Sequence, residues 1–148
     1  MFNYREISTT EPEAKECAQM IQEYSWGLDY PVDAWSELKK ADYIIGCFEK
    51  DKLVGFGSIT RVASPDNIDN GLPWLADAVV LPEYRKQGIY KTLYEKRIEF
   101  LKNQKEKIVL TCTDNAIIEE FLLRNGWILR RITKDESGGE CKVFQLYL

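Results

Sequence analysis

The run Leu81-Pro82-Glu83-Tyr84-Arg85-Lys86-Gln87-Gly88-Ile89-Tyr90 joins an apolar strand to a helix, and that junction constrains the chain most. Trp74 to Leu81 supplies the strand; Tyr90, Leu93, Tyr94, Arg97 and Leu101 then recur at helical spacing. The backbone N–H groups of Gln87, Gly88, Ile89 and Tyr90 fall in the first helical turn. They lack intrahelical acceptors and stand at the positive end of the helix dipole, which suits a phosphate or pyrophosphate. Gly88 allows close backbone approach, and Arg85 and Lys86 add charge. By spacing alone, an ordinary strand-to-helix turn with solvated charges fits these residues equally well.

Composition narrows the chemistry. The 148 residues contain no histidine, which excludes Ser-His and Cys-His nucleophile pairs, histidine-ligated metals and an imidazole base. Acid–base work must fall to carboxylates, tyrosine, lysine, cysteine or water. Four scattered cysteines, at 17, 47, 112 and 141, form no C-x-x-C pair and read as reduced, mostly buried thiols in a cytoplasmic protein. No metal site is expected, no apolar run is long enough to span a membrane, and the start has no signal-peptide layout. Net charge of −4 argues against nonspecific nucleic-acid binding. Residues 1–80 hold 14 acidic and 7 basic side chains, whereas 81–148 hold 10 and 13. A basic half around the turn suits a phosphate-bearing carrier, and an acidic half suits a cationic acceptor.

The length fits one domain over 1–148. A strand over Phe2 to Ile7 precedes a helix from about Glu11 to Tyr24, capped by Thr9 or Thr10, with Pro12 in its first turn. Val32 to Lys39 reads as a short helix, and Asp42 to Glu49 with Lys52 to Val62 as a hairpin. The breaker-rich stretch from Ala63 to Pro73 is a loop. After the central strand and a helix to about Asn103 come a strand (Lys107 to Thr111), a helix (Asn115 to Arg124) and a strand (Trp127 to Lys134). A turn at Ser137-Gly138-Gly139 leads into a final strand, Glu140 to Leu148. That strand is expected to be exposed, so that a second copy could pair with it.

Val80 to Ile89 resembles the acyl-CoA-binding motif of the GCN5-related N-acetyltransferases (GNAT), V-x-P-x-x-R/Q-x-x-G-x-G/A. Asn115-Ala116-Ile117-Ile118-Glu119-Glu120-Phe121-Leu122-Leu123-Arg124-Asn125-Gly126-Trp127 is similar to the family's second signature. The resemblance implies a mixed α/β fold. Its sheet would be twisted and mostly antiparallel, with two central splayed parallel strands and helices on both faces. It implies acetyl-CoA as cofactor, with main-chain groups of Ala78, Val79 and Val80 on the pantetheine arm. Arg85, Lys86, Gln87, Gly88, Ile89 and Tyr90 would surround the pyrophosphate, and the Asn115 side chain would reach the CoA arm. Asn115 also has the spacing of an N-cap and could do both. Tyr90 departs from the family's small residue, and Leu122 replaces a tyrosine that usually serves as general acid.

Asp77 is the expected general base. It sits where the family often places a carboxylate, in an otherwise apolar strand where a lone Asp is costly unless paired or used. Alternation puts it on the face of Leu75 and Val79. The alternative is a structural carboxylate held by nearby donors. By the same resemblance, acceptor selection falls to Tyr24, Trp26, Asp29 and Tyr30, together with Asp33, Trp35 and the loop-end Trp74. Aromatic rings beside carboxylates suit an ammonium, although Trp26 and Trp35 also read as core anchors. The function expected is transfer of an acetyl group to a primary amine of a small or peptide substrate. A CoA-binding sensor or interaction module on the same fold is the rival.

Overall fold

The computed structural model describes residues 1–148. Its strands are β1 (Phe2–Glu6), β2 (Tyr43–Glu49), β3 (Lys52–Thr60), β4 (Trp74–Val80), β5 (Ile108–Thr113), β6 (Ile128–Lys134) and β7 (Glu140–Tyr147). Its helices are α1 (Pro12–Ile21), α2 (Ala34–Leu38), α3 (Ile89–Asn103) and α4 (Ala116–Arg124). A π turn, Gln22–Trp26, follows α1, and one 3₁₀ turn, Pro82–Tyr84, follows β4. The strands form one sheet in the order β1-β2-β3-β4-β5-β7-β6. β4 and β5 are parallel, with Trp74 opposite Leu110. The β1/β2, β2/β3, β5/β7 and β6/β7 pairs are antiparallel.

Two expectations are corrected here. The final strand β7 is not an open edge: it is flanked by β5 and β6, so both sides of its backbone are paired, and β6 is the edge. Neither Thr9 nor Thr10 caps α1. Its N-cap is Glu11, whose carboxylate reaches back to the Ser8 N–H at 2.7 Å and takes Arg5 at 2.9 Å. Pro12 then opens the helix with its fixed φ and no N–H to satisfy.

The chain divides into two compact units, Met1–Thr60 with Ala76–Phe100, and Arg61–Leu75 with Leu101–Leu148. In the first unit, one face of the sheet is covered by α1 and α2. There Ala14, Cys17, Ile21, Ala34 and Leu38 pack with Leu53, Phe56 and Val79. The other face is covered by α3, where Ile89 and Leu93 pack with Ile45, Cys47, Val54 and Val80. Leu53 and Phe56 share a face although strict alternation would separate them. The register skips Val54 between the pairs Cys47–Gly55 and Phe48–Leu53, making it the extra residue of a bulge. A second special position is Gly57: a Cβ built there would stand 2.7 Å from Arg97 Nε and 2.9 Å from its Cζ. Only glycine lets the Arg97 side chain lie against β3.

In the second unit Trp74, Leu110 and Val143 form the core, with Ala63, Leu72 and Cys112 against it. The loop before β4 is tied to β6 by ion pairs. Arg131 reaches Asp66 at 2.8 Å and Asp69 at 2.7 Å, and Arg130 reaches Asp69 at 2.9 Å. Hydrogen bonds from Arg131 hold the Asp66 carboxyl far below the usual carboxylate range, against the opposing pull of desolvation. All four cysteines are free thiols. No helix is long and apolar enough to cross a membrane.

Two outcomes follow. Gly57→Ala should cost about 1–3 kcal/mol by forcing Arg97 off its site, read from urea unfolding; wild-type stability would contradict this packing. Asp66→Asn should cost about 2 kcal/mol at pH 7. Because the folded-state value is depressed, that difference is present above the unfolded Asp value. It should fade as pH falls below about 4, as seen by melting wild type and variant across pH.

Candidate active site

The end of β4 fixes where the turn begins. The Leu81 N–H donates to the carbonyl of the bulged Val54 at 2.9 Å, and Pro82 then closes a 3₁₀ turn through Tyr84 N–H to Leu81 O at 2.9 Å. Arg85 Nε folds back onto the Val80 carbonyl at 3.0 Å. Beyond it the chain takes two left-handed residues, Lys86 at φ 64° and Gly88 at φ 80°. Glycine adopts that conformation freely; lysine does so at a cost of about 1–2 kcal/mol. Alternation of this kind turns successive amides toward one side and makes a concave anion site. Residues Arg85, Lys86, Gln87 and Gly88 are all exposed, and a Cβ built at Gly88 would meet nothing within 4 Å. α3 starts immediately, with the buried Ile89 anchoring it and Thr92 N–H closing its first bond to Gly88 O at 3.1 Å. A cation-flanked backbone cradle thus opens the helix.

Tyr90 does not cover this cradle from the helix start. Its half-buried ring packs against the Ile89–Leu93–Val80 cluster under the sheet, and burial raises its hydroxyl pKa. Tyr84 points elsewhere as well: its hydroxyl donates to Glu49 at 2.9 Å, with Lys52 over its ring. Leu122 is buried and apolar.

Asp77 lies three residues before Val80 on β4 and is half-buried. Desolvation pushes its carboxyl pKa up. Its own backbone amide, the Arg97 charge and the Trp26 indole oppose that rise, while Glu37 adds to it. Val79, two residues on, packs with α1 and α2, which sets the face Asp77 shares. A carboxyl held above its ordinary value is a better proton acceptor near neutral pH than a surface aspartate.

A family model for the acetyltransferase (GNAT) family matches residues 4–127. The chain belongs to that family. Its fold is similar to the ribosomal-protein-S18-alanine N-acetyltransferase of Escherichia coli, at TM-score 0.74 and 16% identity over 99% of this chain and 94% of that one. It is also similar to aminoglycoside 6'-acetyltransferase type Ii, at TM-score 0.75 and 15% identity over 98% and 96%. A chain of the NatC complex bound to Gag peptide and CoA matches at TM-score 0.75 and 14% identity over 99% and 98%. No curated protein matches the sequence.

Within this GNAT chain, the first unit holds Asp77, Ala78, Val79, Val80, the Arg85–Tyr90 turn, and Tyr24, Trp26, Asp29 and Tyr30. Tyr24 feels the charges of Glu83 and Arg85, which brings the π turn beside the cradle. Trp26 is half-buried and tilted against Tyr30 at 5.2 Å between ring centroids; Tyr24, Asp29 and Tyr30 are exposed. The other two candidates belong to the second unit. Asn115 is exposed, and its Oδ1 accepts from Ile117 N–H at 2.8 Å and Ile118 N–H at 3.1 Å, an N-cap of α4. Trp74, expected to meet the acceptor, is fully buried. Its indole N–H donates to the Asp69 carbonyl at 3.1 Å, so it serves the core.

Sequence reasoning passed over Glu37 and Arg97, the two further charges that act on Asp77. Glu37 looks like any solvated helix carboxylate. Arg97 carried a signal, a cation standing within the apolar stripe of α3.

The raised Asp77 pKa has a stability consequence. The native state binds its proton more tightly than the unfolded chain, so ionisation penalises folding as pH rises above about 4. The melting temperature of Asp77→Asn relative to wild type should therefore be higher at pH 7 than at pH 4. A pH-independent difference would contradict the raised value.

Proposed function

We propose that this chain transfers an acetyl group from acetyl-CoA to a primary amine of a small or peptide acceptor, by direct attack within a ternary complex. The observation that carries the reading is the exposed cradle at Arg85–Gly88, twice left-handed and open above Gly88, just beyond the end of the strand that carries Asp77. The donor set fits a pyrophosphate: backbone amides at a helix start, with Arg85 and Lys86 beside them. Ala78, Val79 and Val80 offer only main-chain groups to the pantetheine arm. Bound acetyl-CoA supplies an activated thioester.

Asp77 takes the proton that the acceptor ammonium must lose before its nitrogen can attack. As the new C–N bond forms the C–S bond breaks, and the sulfur leaves as thiolate. An ordinary thiol pKa near 8.5 makes that departure feasible near neutral pH without a side-chain acid. That matters because Leu122 has no proton to give and the Tyr84 hydroxyl is held by Glu49. Tyr24, Trp26, Asp29 and Tyr30 offer rings and a carboxylate to a cationic acceptor. The four free thiols fit a reducing, cytoplasmic setting. The apolar, buried Leu122 also favours a second reading, a sensor that binds CoA without turning it over.

Acetyl-CoA and CoA should each raise the melting temperature by several degrees at about 100 times Kd, and ATP should not. Thiol release from acetyl-CoA, assayed against polyamines, aminoglycosides and peptides, should fall about 10²- to 10⁴-fold in Asp77→Asn with the CoA-induced shift intact. Unchanged turnover removes Asp77 as base. A CoA shift with no thiol release for any amine selects the sensor.

A further inference from the structure

Helix α3 carries an arginine where its buried stripe calls for a hydrocarbon. Arg97 follows the buried Leu93 and Tyr94 at helical spacing and is itself 2% exposed. Its contacts are main-chain carbonyls. Nη1 donates to Ser58 O at 3.2 Å and to Ala76 O at 3.3 Å, and Nε donates to Leu93 O at 3.3 Å. Those acceptors belong to β3, β4 and α3, so one planar group joins two strands and a helix. Gly57 leaves the room it occupies.

A guanidinium stays protonated when buried, and three carbonyl dipoles offset only part of the cost of desolvating it. The carboxylate whose charge acts on it is Asp77, the residue after Ala76; the hydroxyls of Tyr90 and Tyr94 act on it too. The two charges stand on opposite faces. Asp77 shares the α1/α2 face with Val79, whereas Arg97 lies on α3, the helix that packs on Val80. Their interaction passes through the strand rather than by contact. From the other side the Ser58 hydroxyl donates to the Asp77 carbonyl at 3.4 Å.

We propose that Arg97 is a positioning residue for Asp77, fixing the segment of β4 that carries it and holding a permanent positive charge across the strand from its carboxyl. The inference rests on the reading of Asp77 as the proton acceptor. The groups facing that carboxyl come from every element packed around it: its own amide on β4, Trp26 of the π turn, Glu37 of α2 and Arg97 of α3. Glu37 and burial favour the protonated form. Arg97 is the full positive charge opposing them, and keeps the carboxyl ionised at lower pH than burial alone would allow.

The test is a ¹³C NMR titration of the Asp77 carboxyl, assigned by its loss in Asp77→Asn, in the wild type, Arg97→Gln and Arg97→Lys. Arg97→Gln retains N–H donors without charge and should raise the midpoint by about one pH unit; Arg97→Lys retains the charge and should leave it within about 0.3 unit. A midpoint that moves equally in both folded variants, or in neither, overturns the proposal. Should Arg97→Gln fail to fold, the wild-type Arg97 Nε–Hε resonance reads the same coupling. It must shift with the Asp77 titration and lose that shift in Asp77→Asn; a flat response overturns the proposal. Neither measurement needs acetyl-CoA or an acceptor, so its failure leaves the transfer reading standing. Where an amine is turned over, the acid limb of kcat/KM should move up with the carboxyl midpoint in Arg97→Gln, a change that a purely structural role would not produce.

Discussion

A positive charge inside the core of the first unit sets terms that the surrounding residues must meet. Arg97 cannot lose its proton, so the fold has to supply acceptors, room and a compensating charge. The acceptors are carbonyls of β3, β4 and α3. The room is the missing side chain of Gly57, and the Tyr90 and Tyr94 hydroxyls and the Asp77 carboxyl favour the charge. Each of these would be a weakness alone. An isolated Asp in a β-strand, a glycine in a β-strand and a buried cation are all unfavourable, and together they explain one another.

The cradle depends on a different irregularity. Val54 is an extra residue in β3, and its carbonyl takes the N–H of Leu81 as β4 ends. That bond stops the strand at a defined residue, and the 3₁₀ turn, Lys86 and Gly88 then turn the amides outward. Lysine in a left-handed conformation costs free energy that an unstrained turn would avoid. Tyr90 fits because its ring has packing to find below: Ile89 and Leu93 already bury there, so the large side chain leaves the helix start open.

Elements whose periodicity is local were legible in the sequence. β4, α3, α4 with its Asn115 cap and the β2–β3 hairpin all stand where spacing put them. What failed depended on partners distant in sequence. β7 reads as a terminal, exposed strand because nothing in its residues tells that β6 pairs outside it. Trp74 reads as a loop-end aromatic that meets the acceptor, whereas it is buried and its indole is claimed by a carbonyl in the loop it follows. The α1 cap was misread because Glu11 reaches backward to Ser8, a geometry that Thr9 and Thr10 masked by their better cap propensity. Arg97 was visible as an oddity in a stripe, but its carbonyl partners come from strands some 20 and 40 residues away.

Acceptor choice cannot come from the fold itself, since similar folds act on a ribosomal protein's alanine and on an aminoglycoside. In this chain the end of α1 is irregular. The sequence implies an α-helix running to Tyr24; instead the last turn widens into a π turn over Gln22–Trp26, a rare device found frequently at functional sites. Gln22 holds that turn, donating from Nε2 to Gly27 O at 3.0 Å and accepting from Ala34 N–H at 3.1 Å, which joins it to the start of α2. Trp26, at the end of the π turn, opposes the desolvation that raises the Asp77 carboxyl pKa, and the charges of Glu83 and Arg85 act on the Tyr24 hydroxyl. On the transfer reading, the acceptor would meet a wall whose backbone is set by one glutamine at the end of α1.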